Sequence, residues 1–126
     1  MKNLTPNQKL WLDALRSGEY KQGQDELHIT HVGKNYFCCL GVAAKIFADD
    51  TTDIRTTKNM IYSLIYSYDG CGCSAPEYVV EALGLVDDTG RSLSGANESL
   101  SFLNDTCCSF EQIADHFEQN LEDYTK

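Results

Sequence analysis

Two adjacent cysteines, Cys38 and Cys39, lie in the segment NYFCCLGVAAKIF and are the first candidates for chemistry. A cysteine attacks as its thiolate, which a helix N-terminus or a nearby histidine favours by lowering the thiol pKa. Both cysteines stand where a helix is predicted to begin, and His31 lies across a predicted hairpin. The pattern therefore permits a cysteine-dependent hydrolase that uses Cys38 or Cys39 with His31.

A hydrolase of this kind also needs a group that orients the base, for which Asn104, Asp105 and His116 are the candidates. The sequence signatures that surround known cysteine-hydrolase nucleophiles are absent. Cysteine is also among the residue types most often buried, where it packs as a small hydrophobic side chain. Core packing is therefore the favoured interpretation of both thiols, and we assign no catalytic residue.

Zinc is the second chemical candidate, since the chain has six cysteines and three histidines. Structural zinc sites favour cysteines separated by about two to four residues. Here the cysteines form three close pairs with none or one residue between them, which are Cys38 and Cys39, Cys71 and Cys73, and Cys107 and Cys108. A site would have to combine Cys39, Cys71 or Cys73, and Cys108. We therefore predict free thiols in a reducing compartment, with no metal and no cofactor.

A small phosphate-bearing ligand is the third candidate, because the first half of the chain combines Arg and Lys with Tyr. Arginine binds phosphate through paired donors, and tyrosine rings stack on nucleobases. The candidate ligand-binding residues are Arg16, Tyr20, Lys21, Lys34, Tyr36, Arg55, Tyr62 and Tyr66. No Walker or Rossmann fingerprint is present, so nucleotide hydrolysis and dinucleotide redox chemistry are not expected.

The charge of the chain is unevenly distributed. The net charge is −9, and residues 64–126 contain two Lys or Arg against twelve Asp or Glu. Nucleic-acid binding depends on cations that neutralise phosphates, so the acidic surface argues against direct binding of nucleic acid. The acidic half is interpreted either as a solvated face that aids solubility or as a mimic of nucleic acid that occupies a basic site on another protein.

The length of 126 residues suits one domain spanning residues 1–126. No apolar run approaches the ~18 residues of a membrane span, and the N-terminus lacks the features of a secretory signal. We therefore expect a cytoplasmic protein with no membrane partner. The sequence leaves a homo-oligomer open.

Element signals predict the structure that must position these residues. Thr5, Pro6 and Gly18 delimit a first helix, and Ser109 with Gln112 forms a capping box for the last one. The remaining predictions are a hairpin over 26–38, a buried helix over 39–48 and a helix over 57–68. A further helix is capped by Ser74, has Pro76 near its start and ends at Leu83. A second hairpin turns at Asp88–Gly90, and a short helix lies near 100–103. The predicted fold is a compact α+β domain, with four to five helices around the buried central helix and two short β-hairpins.

Four stretches together resemble a family of small, uncharacterised proteins of bacteriophages and some bacteria: WLDALRSGEYKQG, FCCLGVAAKIF, LGLVDDTGRSL and LNDTCCSFEQIADHFEQN. That family is marked by a CCLGV helix and a later LND…SFEQIAD element, and residues 49–74 lie outside the resemblance. The resemblance implies a phage or bacterial origin. Small phage proteins often act by binding and disabling a host component, which is an analogy of class only.

The leading hypothesis is a non-enzymatic binding protein, phage-encoded and present in the host cytoplasm, that sequesters or blocks a host factor. Its partner would be a host protein or a small phosphate-bearing ligand such as a nucleotide-type signal. The alternatives are the cysteine-dependent hydrolase and the acidic mimic of nucleic acid.

Overall fold

Six helices and five strands make up the part of the chain that the computed structural model describes, residues 2–106 and 108–126. The helices are α1 (Pro6–Arg16), α2 (Cys39–Ile46), α3 (Glu77–Leu83), α4 (Leu100–Thr106), α5 (Phe110–Gln119) and α6 (Leu121–Tyr124). The strands are β1 (Lys21–Gln22), β2 (His28–His31), β3 (Lys34–Phe37), β4 (Ile54–Met60) and β5 (Ser63–Tyr68). The fold is therefore α+β, as the sequence predicts.

All five strands belong to one mixed sheet with the order β1-β3-β2-β5-β4. β1 pairs with β3 in parallel, and the other neighbours are antiparallel. Two hairpins build most of it: β2 and β3 turn at residues 32–33, and β4 and β5 turn at residues 61–62. β4 forms one edge of the sheet.

The helix predicted over 57–68 is wrong, because these residues belong to β4 and β5. Apolar residues recur there at helical spacing, but Thr, Ile and Tyr are abundant, and such side chains favour strands. The turn between the strands uses Ile61 and Tyr62, neither of which is a common turn residue. The segment therefore carries no sequence signal for the turn that divides it.

The second hairpin predicted around Asp88–Gly90 is also absent. Asp87 accepts the backbone N–H of Thr89, and Gly90 adopts a left-handed φ of 70°, so a turn forms without flanking strands. Leu85 makes a single bridge to Thr125 instead. Side-chain carboxylates satisfy the backbone of this loop, so it needs no strand partner.

Helix boundaries follow the predicted caps in α1 and α5. The Thr5 hydroxyl accepts the Gln8 N–H, and the Gln8 side chain accepts the Thr5 N–H. The same reciprocal pair joins Ser109 and Gln112. The N-cap residue of α3 is Pro76 rather than Ser74. The prediction of Ser74 as its cap is therefore wrong by two residues.

α2 lies in the interior, with residues 39–44 all buried. It contacts α1, α3 and α4, and it follows directly after β3. Large side chains from the other helices complete this core, including Trp11, Leu83, Leu100, Phe117 and Tyr124. Within the described residues, no helix has the length and apolar character needed to cross a bilayer.

Candidate functional site

Cys38 and Cys39 are buried at the start of α2. The Cys38 Sγ accepts a hydrogen bond from the Gly41 N–H at 3.2 Å, so the thiol caps the helix. Burial raises the pKa of Cys38 to about 12, and it raises the pKa of Cys39 as well. Loss of solvation disfavours the charged thiolate more than the helix start favours it. These thiols are therefore poorly suited to act as nucleophiles.

His31 lies far from both thiols along the first hairpin. It pairs with Lys34 beside the turn, whereas Cys38 follows the opposite end of β3. Lys34 and Cys38 are four positions apart along the extended chain, a distance of roughly 13 Å. The His31 Nδ1 instead lies 2.6 Å from the Ser63 Oγ. The structure does not bring together the cysteine and histidine of the hydrolase alternative.

Asn104, one of the candidate orienting residues, links the two motif segments through the backbone. Its Oδ1 accepts the Cys39 N–H at 3.0 Å and the Gln22 side chain at 3.0 Å. Its Nδ2 donates to the Gly23 carbonyl at 2.8 Å. The side chain is almost fully buried, and all its contacts serve packing between α4, α2 and β1. Asn104 therefore links the LND segment to the CCLGV segment through hydrogen bonds, and none of these bonds involves the Cys38 or Cys39 thiol.

The other candidate orienting residues and metal ligands are dispersed. Asp105 accepts the Asp25 N–H, and His116 lies 3.1 Å from the Tyr124 hydroxyl. Cys71 is half-buried and Cys73 is exposed. Cys107 lies outside the described residues, and over the remainder no group of three or more His, Cys, Asp or Glu side chains could hold a metal ion.

Four of the eight candidate ligand-binding residues share one face of the sheet. Lys21 pairs with Tyr36, and Lys34 stands two residues before Tyr36 on the same strand. Alternation along the paired strands places Arg55 on this face too. We call these four residues the cationic face. It is a surface formed by side chains from β1, β3 and β4.

The other four candidates lie elsewhere. Arg16 binds Asp115 at 2.8 Å and Glu118 at 2.9 Å on the helices. Tyr20 packs edge-on against Phe37. Tyr66 stacks on His28 on the opposite face, and Tyr62 stands at the far hairpin turn. The eight residues therefore do not converge on a single ligand site.

His28, for which no role was predicted, is the centre of a buried network within the sheet. Its ring is stacked between Phe37 and Tyr66, with ring centroids 4.1 and 3.8 Å away. The Nε2 atom lies 2.8 Å from the Asn35 Oδ1, and the Nδ1 atom lies 2.8 Å from the Tyr68 hydroxyl. A neutral ring satisfies both contacts by donating to Asn35 and accepting from Tyr68. Burial lowers the pKa of His28, which favours this neutral form.

Charge is separated between the sheet and the rest of the chain. The five strands contain four cations and no Asp or Glu, and the cations are Lys21, Lys34, Arg55 and Lys58. The other residues hold six Lys or Arg against nineteen Asp or Glu, a net charge of −13. Over the described residues, Arg55 is the one strand cation with an ion pair, to the exposed Asp53. The sheet therefore presents local positive charge on an acidic protein.

The end of the sheet farthest from α2 exposes large apolar side chains. Val32, Met60, Ile61 and Tyr62 are 65, 61, 74 and 75 % exposed, and we call these four residues the distal tip. The Val32 N–H donates to the Tyr62 carbonyl at 2.9 Å, which ties the two turns together. Val32 and Tyr62 have positive φ values of 50° and 68°. For a β-branched residue such as valine this backbone conformation is strained.

A depression of about 510 Å³ adjoins the distal tip. Besides tip residues, Thr30, Lys58 and Leu64 line it. Its walls are mainly apolar, and the Lys58 ammonium adds one cation. The depression could therefore receive an apolar side chain with an acidic group beside it. Sequence reasoning found Tyr62 but missed the tip, because it assigned these residues to a helix.

A domain family of unknown function, DUF8296, matches residues 4–121. This range covers nearly the whole chain. The chain belongs to the DUF8296 family. No curated protein and no solved structure matches it.

The DUF8296 match includes residues 49–74, which the resemblance to phage and bacterial proteins left out. The β4–β5 hairpin lies within this range. The distal tip therefore lies within the range that the family model matches.

Proposed function

We propose that this DUF8296 protein is a small non-enzymatic binding protein that recognises a partner protein through its distal tip. The observation that carries the proposal is the tip itself: four large apolar side chains held in solvent by two turns that a backbone hydrogen bond joins. Exposed apolar clusters on small domains commonly mark interaction sites. Strained backbone is likewise concentrated where a particular surface must be presented.

The chemistry of the tip favours a protein surface that combines an apolar anchor with acidic groups. Apolar anchors buried in pockets dominate the energetics of protein interfaces. The depression beside the tip suits such an anchor, and Lys58 stands at its wall. The strands that lead to the tip contain no Asp or Glu, and salt screens charges over about 8 Å. A partner at the tip therefore meets the local cations before the net charge of the protein.

In keeping with the family resemblance, we further propose that the protein is phage-encoded and that its partner is a host factor. A nucleotide-type ligand has less support, because its candidate residues are spread over several surfaces. Small ligands generally bind in concave sites on which several side chains converge. Acidic mimicry would use the helices instead of the sheet.

The test compares a tip variant with a matched surface variant. Ile61→Asp/Tyr62→Asp places two charges on the tip, and Leu10→Asp/Phe102→Asp places two charges at exposed apolar positions on α1 and α4. Each protein, immobilised, is exposed to a bacterial lysate, and retained proteins are identified by mass spectrometry. We expect the tip variant to lose a protein that wild type and the matched variant retain, with all three showing the same circular dichroism.

A photo-crosslinking amino acid at position 62 should capture the same protein, and the same amino acid at position 102 should not. Retention that survives the tip variant, or a crosslink only from position 102, would contradict the proposal. A protein that is lost from both double variants would indicate a general effect of charge.

Thiol labelling tests the catalytic alternative separately. A pKa of about 12 for Cys38 leaves about a thousandfold less thiolate at neutral pH than an ordinary cysteine has. Iodoacetamide should therefore label exposed Cys73 while Cys38 and Cys39 remain unmodified until the protein is denatured. Rapid labelling of Cys38 or Cys39 in the native protein would revive the hydrolase hypothesis.

A further inference from the structure

β4 is an edge strand with a free side. β5 pairs with it on one side, and no described strand pairs with it on the other. All seven of its side chains are exposed. An edge of this kind can accept an additional strand through backbone hydrogen bonds.

The register shows which backbone groups of β4 face outward. The Val32 N–H bonds to the Tyr62 carbonyl, so even-numbered residues of β5 direct their backbone groups to β2. The odd-numbered residues of β5 then face β4, where Ile65 pairs with Thr57. The Asp69 N–H to Asp53 carbonyl bond continues this pattern. Thr57 therefore bonds inward, and its neighbours Thr56 and Lys58 direct their N–H and carbonyl groups to solvent.

The charges along this edge favour an acidic strand. Arg55 and Lys58 are three residues apart, so they lie on opposite faces of the sheet. β4 itself contains no Asp or Glu. A second copy of β4 would bring like charges together, and the irregular register between Lys58 and Met60 further hinders pairing of two copies. The edge therefore disfavours self-association.

We propose that an extended, acidic segment of the partner protein adds to the free edge of β4. Two acidic residues three positions apart would meet Lys58 on one face and Arg55 on the other, while backbone groups pair with those of Thr56 and Lys58. An apolar residue next to one acid would lie beside Ile54. Asp53, which pairs with Arg55 in the free protein, is displaced from that cation when the segment binds. This inference rests on the proposed function, since it specifies how part of the partner binds.

The probe is the acetylated and amidated peptide TVETTEVT, whose palindromic sequence presents its two Glu residues three apart in either strand direction. Two control peptides are TVKTTKVT, with reversed charge, and TVTETEVT, with the acids two apart and so on one face. Binding is followed by chemical shifts and amide hydrogen exchange of the full-length protein. With TVETTEVT we expect exchange at Thr56 and Lys58 to slow about tenfold at millimolar peptide. Both control peptides should have a weaker effect.

Thr56→Pro provides the matched variant. Proline removes the outward N–H of Thr56 but no hydrogen bond to β5, and proline is tolerated at sheet edges. Thr56→Ala retains the N–H and serves as its control. We expect Thr56→Pro to weaken peptide binding about tenfold and Thr56→Ala to change it less than about twofold. The spectrum of each variant reports whether the sheet is intact.

Two results would overturn strand addition: an absence of protection at Thr56 and Lys58 with TVETTEVT, or equal binding of TVETTEVT and TVKTTKVT. Shifts confined to Val32 and Tyr62 would also overturn it, because the peptide would then occupy the depression. The proposed function fails independently, through the lysate test with the tip variant. Ile61→Asp/Tyr62→Asp should leave peptide protection at Thr56 in place, so the two failures are distinguishable.

Discussion

The helices and the sheet differ in how their polar and charged side chains are partnered. Among the helices, polar side chains at the core are fully engaged: buried Asn104 satisfies the Cys39 N–H, and buried Gln8 donates to the Leu83 carbonyl. In the sheet, three of four cations form no ion pair with any described residue, and apolar side chains stand in solvent at the distal tip. Exposed apolar surface adds nothing to the core and commonly marks an interaction site. The difference indicates that the helices maintain the fold and the sheet is available for recognition.

His28 lies where these two regions meet. It connects the last buried row of the sheet to the core through Phe37 and Tyr68. Along β2 the side chains become more exposed from His28 to His31, and the exposed tip follows, whereas Ser63 on the neighbouring β5 stays buried. If the two regions differ as we infer, substitutions should cost most stability in the helices, an intermediate amount at His28, and least at the tip.

The largest effect is expected from Gly41→Ala in α2. A Cβ at position 41 would lie 1.6 Å from the Leu27 carbonyl oxygen, which is backbone and cannot rotate away. The helix would have to separate from the chain before β2. We expect a loss of more than about 3 kcal/mol in the free energy of unfolding, measured by urea denaturation.

Gly72→Ala is the control for this substitution. Its added Cβ would meet only a side-chain atom of Glu26, at an ordinary 3.6 Å. Stability should change by less than about 0.5 kcal/mol. A similar loss in both variants would mean that glycine flexibility, not close packing of α2, explains the effect.

The next largest loss of stability is expected from Asn104→Ala. It removes the acceptor of the buried Cys39 N–H and the donor to the partly buried Gly23 carbonyl. We expect a loss of about 2 to 3 kcal/mol, since buried groups left without partners bear their full desolvation cost. Urea denaturation measures it. Asn97→Ala, which removes a bond to Asp123 at a partly exposed loop, should cost less than half as much. Equal losses would contradict the distinct role of Asn104.

The sequence predicted the helices better than the sheet, for a physical reason. Caps are local signals, so Thr5 with Gln8 and Ser109 with Gln112 identified α1 and α5 directly. The β4–β5 hairpin depends on pairing with β2, which is distant in sequence, and its turn at Ile61 and Tyr62 lacks Gly or Asn. The spacing of apolar residues alone does not distinguish a helix from a strand in a short apolar segment.

The candidate site was predictable in part. Burial of Cys38 and Cys39 followed from the apolar character of the residues around them. The cationic face required the sheet register, because Lys21, Tyr36 and Arg55 are far apart along the chain. The positive charge of the sheet could not be predicted from the net charge of −9, because a net charge sums over surfaces that the fold separates. Only the order of the strands reveals that separation.

The pH dependence of stability tests how much His28 contributes where the sheet meets the core. Because burial lowers its pKa below the ordinary value of 6.5, the unfolded chain takes up a proton first as the pH falls. The stability contributed by neutral His28 is therefore complete above about pH 6.5 and is lost below it. The slope is at most about 1.4 kcal/mol per pH unit until the folded protein also binds the proton. Urea denaturation between pH 7 and 5 measures it.

His28→Phe keeps an aromatic ring between Phe37 and Tyr66 and should flatten this slope. His31→Gln, at the exposed end of β2, should leave it unchanged. Asp87 and Asp123 have pKa values lowered by hydrogen bonds, so their contributions are lost only at more acidic pH, below about 4. A slope that persists in His28→Phe would show that His28 is not the source of the pH dependence.

The smallest effect, and the one of opposite sign, is expected at the distal tip. Val32 has a φ of 50° and a side chain 65 % exposed, so valine there bears backbone strain and buries little surface. Val32→Gly should relieve the strain and raise the free energy of unfolding by about 0.5 to 1 kcal/mol, despite the greater entropy of glycine in the unfolded chain. Thr30→Gly, two residues earlier within β2, should be destabilising by a comparable amount, because glycine weakens a strand interior. Urea denaturation of both variants gives the sign of each change in stability.

A gain in stability in Val32→Gly, together with loss of the partner protein, would show that Val32 is kept for binding at the expense of the fold. A loss of stability in Val32→Gly would instead show that the tip, like the helices, is part of the structural framework.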